Sequence, residues 1–205
     1  MFNRKEYKKS ALAQLKNRWA VPCLISLIFL ALSAVSSPAG GILCAIVTGI
    51  ISTGFIFVMM AMYTSPEEIR FDVFLQGLER TWLNALFASL WNFLFVFLWS
   101  LLFIIPGIVK IYSYSMMPFI IAENPKIGAV QAMDISKIMT RGHKMDLLIM
   151  DLSFLGWTIL CALTFGIGLI WLVPYRFSAK TNAYYDIKKM AFQSGVLSPA
   201  DFEVR

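Results

Sequence analysis

Two cations and one carboxylate carry most of the chemistry that this sequence offers. Arg176 and Lys180 stand four residues apart in "GLIWLVPYRFSAKTNAYY", Gly168 to Tyr185, after only a short apolar run. At that spacing they share one face of any helix that holds them, and neither can simply look at lipid. Asp151 is the one acidic residue in the apolar stretch that precedes them. A helix-depth estimate of ~1.5 Å per residue puts it level with Lys180, so a pair of Asp151 with Lys180 or Arg176 is the leading expected contact. Pro174 has no N–H for the carbonyl of Ile170, and Pro118 deprives Tyr114 in the same way. Helices broken at depth line protein or water, not lipid. With the polar run "KIYSYSMMP", Lys110 to Pro118, these features outline a cytoplasm-facing cavity lined by Asp151, Arg176, Lys180, Tyr114, Tyr175 and Asn182. Its ligand would be an amphiphile, a lipid or an anion. The competing interpretation is a short, tilted span whose Arg176 snorkels while Asp151 neutralises it.

Other chemistry finds little support. His143, in "RGHK", is the only histidine, and neither a nucleophile motif nor a second metal ligand accompanies it. Asp146 and Asp151 are five apart, which points them to different faces of a helix and argues against a shared metal. G-x-S-x-G, H-E-x-x-H and the phosphate-binding P-loop are all missing. Cys23, Cys44 and Cys161 lie singly in apolar segments without metal or disulfide spacing, as small packing residues do. The expectation is a non-enzymatic protein with no catalytic residues, no metal and no cofactor, and His143 in a structural or headgroup contact; the alternatives are a structural or assembly partner of another membrane protein and, third, an intramembrane enzyme.

The elements that must position these residues follow from composition. Of 205 residues 59% are hydrophobic and only 15% charged, far from the soluble balance of roughly 45–50% apolar and about 25% charged. An integral membrane protein is expected. The net charge of +6 is dispersed between apolar spans, with no basic-aromatic patch for nucleic acid, so anionic lipid headgroups are the expected counter-charge. A further expected partner is a second copy of the chain or another membrane protein.

No charged residue occurs between Arg18 and Glu67 or from Thr81 to Val109, and turn signals at "SSPAGG", Pro106-Gly107 and Gly166 to Gly168 divide the apolar runs. Six transmembrane helices result, as three in-out-in hairpins at residues 20–63, 82–122 and 147–187. A basic amphipathic helix at 1–19 with Leu12, Leu15 and Trp19 on one side, surface helices at 64–81 and 123–146, and a cytoplasmic tail at 188–205 complete one membrane domain. Arg and Lys concentrate in 1–19 and in the loops after spans 2 and 4, so both termini face the cytoplasm. Only Lys110 sits near the outer side, as a snorkelling residue. In an alternative, Ala34 and Ser36 precede a signal-peptide cut and five spans remain.

The surface helices have their own signatures. Ser65 and Pro66 read as a start, with Phe71, Phe74, Leu75 and Leu78 on one face; Asn124 and Pro125 repeat that logic before Ile127, Val130 and Ile138. Trp19 and Trp82 fit interfacial anchors. "LKNRWAVPCLISLI", "LERTWLNALFASLW" and "RGHKMDLLIMDLSF" suggest three parallel repeats of surface helix plus hairpin. Ala45, Gly49, Ser52 and Thr53 read as close helix packing, and Asn92 as a bridge between helices.

The segments "LLFIIPGIVKIYSYSMMPFIIAENP", "SKIMTRGHKMDLLIMDLSFLGW" and "FGIGLIWLVPY" resemble a bacterial integral-membrane family, domain-of-unknown-function family 975, over nearly the whole chain. The resemblance implies a protein of the bacterial cytoplasmic membrane. It supplies no activity, substrate or catalytic residue.

Overall fold

The computed structural model describes residues 2–35, 41–65, 70–102, 104–164 and 166–202, with side-chain surroundings given outside 33–45, 97 and 99–106. Every regular element among them is helical. In order they are α1 (Arg4–Leu15), α2 (Ala20–Val35), α3 (Gly41–Thr64), α4 (Asp72–Leu102), α5 (Ile104–Tyr114), α6 (Met117–Glu123), α7 (Ala129–Met139), α8 (Lys144–Leu163) and α9 (Leu169–Gln193), then a 3-10 turn at Pro199–Phe202. The "SSPAGG" turn and the Pro66 helix start lie outside the described residues.

Glycines set the tightest contact, the antiparallel pair α3 and α4. A Cβ on Gly49 would stand 2.0 Å from the Ser89 Oγ, one on Gly54 2.9 Å from Leu78, and one on Gly77 2.9 Å from Phe57. Only bare backbone allows that approach. α4 is one helix of 31 residues. The break expected between a surface helix and the third span, near Trp82, is absent, because nothing from Leu78 to Leu102 breaks a helix. At ~1.5 Å per residue α4 is roughly 45 Å long.

The next turn also moves. α4 ends at Leu102 and α5 begins at Ile104, so Pro106 falls in the first turn of α5 instead of forming the turn, where its missing N–H costs nothing. α5 then stops at Tyr114 and a separate short helix, α6, starts at Met117 with Pro118 in its first turn. This break is the one that Pro118 foretold. α6 is almost wholly buried, with Phe119, Ile120, Ile121 and Ala122 in the core, packed on α3, α4 and α7.

α9 is the other centre, touching α1, α2, α3, α7 and α8. Gly166, at φ +81°, turns the chain into it, and Gly168 packs where a Cβ would meet the Cys161 Sγ at 2.6 Å. The helix continues to Gln193, past the expected boundary at 187, and the segment after it returns to the core through Leu197 and Phe202.

Three expected faces are different in detail. α1 buries Tyr7, Ala11 and Leu15 and leaves Leu12 exposed, because it packs along α9. α7 begins at Ala129 with Gly128 before it, and Asn124 instead closes α6 with its N–H on the Ile120 carbonyl. The buried face of α7 is Ala129, Ala132, Met133, Ile135, Ser136 and Met139; of the expected residues Ile127, just before the helix, is buried, while Val130 and Ile138 are exposed. Leu75 also faces outward, although Phe74 is buried.

Candidate functional site

The charged trio meets where α8 crosses α9. Asp151 is seven residues into α8, and Arg176 and Lys180 follow Pro174 on one face of α9. The Asp151 Oδ1 accepts from the Arg176 Nε at 3.2 Å and lies 3.1 Å from its Nη2; the Oδ2 lies 3.0 Å from the Lys180 Nζ. The Tyr112 hydroxyl of α5 donates to the same Oδ2 at 3.4 Å. The Asp151 side chain is 13% exposed and that of Lys180 23%, but that of Arg176 is 45% exposed. One carboxylate therefore holds two cations, and the guanidinium presents its outer edge. This arrangement can receive an anion as a second partner of Arg176 without dismantling the Asp151–Lys180 pair.

The other three expected lining residues lie elsewhere. The Tyr175 ring packs edge-on against Phe154 at 5.3 Å. Asn182 faces α1, where its amide exchanges hydrogen bonds of 3.1 Å with Gln14 in both directions, and Ser178 donates to the same Gln14 Oε1 at 2.8 Å. Tyr114 is buried under two ammonium groups, the Lys110 Nζ at 5.9 Å and the Lys137 Nζ at 5.8 Å from its ring. Lys110, expected near the outer side, thus shares a ring with Lys137 of α7, which lies in the surface helix expected at 123–146, since α5 is only 11 residues long and packs on α7. Of the two neighbouring tyrosines it is Tyr112 that reaches Asp151. Residues two apart on a helix point about 200° apart, so both cannot face α8.

Two polar centres escape the sequence signals. Glu123 accepts from the Tyr184 hydroxyl and from the Lys188 Nζ, each at 2.6 Å, and Lys188 also lies 4.3 Å from the Phe202 ring. Tyr184 and Lys188 are one helical turn apart, but Glu123 is 61 residues from Tyr184. Beside α8, a recess of about 390 Å³ is lined by Phe2, Asn3, Arg4, Lys5, Lys8 and Ser153. Lys8 spans it, with its Nζ 3.4 Å from the Ser153 carbonyl and 4.2 Å from the Phe154 ring. Burial, and then the positive Arg4, push the Lys8 ammonium down from its usual value. Three clustered cations favour an anion there.

His143 lies 3.5 Å from the Asp146 carboxylate and stacks on Phe2 with centroids 6.1 Å apart. No cluster of three metal-binding side chains exists among the described residues. Cys23 and Cys161 are free thiols, and the side chain of Cys44 lies outside the described ones.

A family model described as a protein of unknown function (DUF975) matches residues 1–114 and 106–191. The chain belongs to this family. Between them the two matched stretches take in α1 to α8 and α9 through Ala191, and hence every DUF975 residue of the charged cluster. No curated protein and no solved structure matches the chain.

Proposed function

We propose that this DUF975 protein is a non-enzymatic protein of the bacterial cytoplasmic membrane that crosses the bilayer six times and binds an anionic amphiphile at Asp151, Arg176 and Lys180. Among the described residues two helices, Ile46–Thr64 and Lys144–Leu163, are long and apolar enough to cross a membrane, and Ala20–Leu32 passes the same test only together with α1, across a bend of 107°. Leu83, Phe87, Leu90, Leu94 and Leu98 form an exposed stripe along α4, and Leu152, Leu155, Ile159 and Leu163 another along α8. Such stripes suit lipid contact. The six crossings are then α2, α3, α4, the broken α5–α6 pair, α8 and the first half of α9. The Lys and Arg distribution supports cytoplasmic termini.

The observation that carries the ligand is the ratio of two cations to one carboxylate, with Arg176 nearly half exposed. A snorkelling arginine needs no second cation on its partner. The phosphate of a lipid headgroup, approaching along α8 from the cytoplasmic side, would complete the charge balance.

Native mass spectrometry of the detergent-purified protein tests this. Arg176→Gln keeps the Asp151–Lys180 pair, so the variant folds but loses an anionic lipid that the parent retains. Equal lipid retention by both would remove Arg176 from any site. A stoichiometric partner protein on both, with no lipid, would favour an assembly role.

A further inference from the structure

A separate cavity of about 470 Å³ lies between α3, α4, α5 and α6, within the size range of small-molecule sites. It adjoins the Gly49–Ser89 contact, where α3 and α4 touch most closely. Four polar side chains face it: Ser52 and Thr53 from α3, Ser89 and Asn92 from α4. Val96, Ile111, Met117 and Pro118 supply apolar wall.

The hydrogen bonds of the three hydroxyls are directional. Ser52 and Thr53 both donate to the Gly49 carbonyl, at 2.8 and 2.9 Å, and Ser89 donates to the Ala85 carbonyl at 2.7 Å. Each proton is thus committed to its own helix, and what remains is oxygen lone pairs. The Asn92 Oδ1 is shielded from solvent and has no hydrogen-bond partner. An orphaned buried amide oxygen is a costly feature that a ligand donor would relieve. No ionisable side chain is among the described residues that line the space, so a charged group would enter uncompensated.

We infer that this cavity binds the hydroxyl head of a neutral lipid of the acylglycerol class, with its acyl chain on the apolar wall. The head donates to the Asn92 Oδ1 and to the hydroxyl oxygens around it. This site is distinct from the charged cluster: it selects against the anion that Arg176 attracts, and Pro118, whose break in the fourth crossing places α6 beside it, forms part of its wall.

The test uses the full chain in detergent with a short-chain 1-monoacylglycerol and the methyl ester of the same acid, which lacks a donor. The monoacylglycerol raises the thermal midpoint and gives a one-to-one adduct in native mass spectrometry; the methyl ester does neither. Asn92→Leu, similar in volume, weakens monoacylglycerol binding by roughly tenfold or more, and Val96→Phe, which fills the space, does the same. Arg176→Gln leaves this binding intact, so failure of the charged site and failure of this one are told apart. Equal responses to both lipids, no response to either, or full binding by the Asn92→Leu and Val96→Phe variants would overturn the assignment.

Discussion

Asp151 is the residue on which the charged cluster depends, since removing it leaves two cations facing each other with no counter-ion. Asp151→Ala is expected to lower unfolding free energy by about 3 kcal/mol, the usual cost of orphaning a largely buried charge. Asp151→Ala with Lys180→Met should recover part of that loss, and a denaturant titration of the four proteins of that cycle gives the coupling directly. These three residues were legible in the sequence because charges are rare in apolar runs and an i, i+4 spacing fixes a shared face. Tyr114 and Asn182 were not, for a physical reason in each case. The direction of Tyr114 depends on where α5 stops, and that of Asn182 on Gln14, which sits 168 residues away. Sequence periodicity reports which residues share a face, never which neighbour that face meets.

At the scale of elements, the α3–α4 contact and the docking of α1 on α9 make separate predictions. Gly49→Ala should destabilise by roughly 1–3 kcal/mol, because its Cβ would overlap the Ser89 side chain and overpacking is costly. Ser89→Gly in the same chain should restore most of the thermal midpoint. α1 is held by Tyr7, whose hydroxyl donates to the Asp186 carboxylate. Burial, and then that hydrogen bond, raise the phenol well above its ordinary 10.0. A raised folded value means that the contribution is complete below about pH 10 and fades as pH climbs above it. Tyr7→Phe should therefore cost about 1.5–3 kcal/mol at neutral pH, with the gap to the parent closing above about pH 10 in thermal melts. The helices themselves were readable from charge-free runs and, before α9, from the Gly166 to Gly168 turn. The uninterrupted α4 was not, since an amphipathic start and an apolar continuation change composition without changing the backbone. The position of α7 was missed likewise: Asn124-Pro125 makes a good helix start, yet the side chain of Asn124 instead donates to the Phe202 carbonyl at 2.6 Å.

Taken as a whole, the molecule is an all-helical bundle organised around α6 and α9. Its outward faces on α4 and α8 are apolar, and its densest run of cations is Arg4 to Arg18, in α1 and the residues just after it. The proposed site works only if α8 and α9 cross the bilayer together, with the Asp151 cluster reached from the cytoplasm and the Gly166 turn on the outside. Single-cysteine labelling in intact cells, in a background lacking Cys23, Cys44 and Cys161, tests that arrangement most directly. Ile167→Cys, at an exposed position in the turn, should react with a membrane-impermeant maleimide from outside, and Lys126→Cys only after permeabilisation. External labelling of Lys126→Cys, or protection of Ile167→Cys until the membrane is opened, would contradict the account.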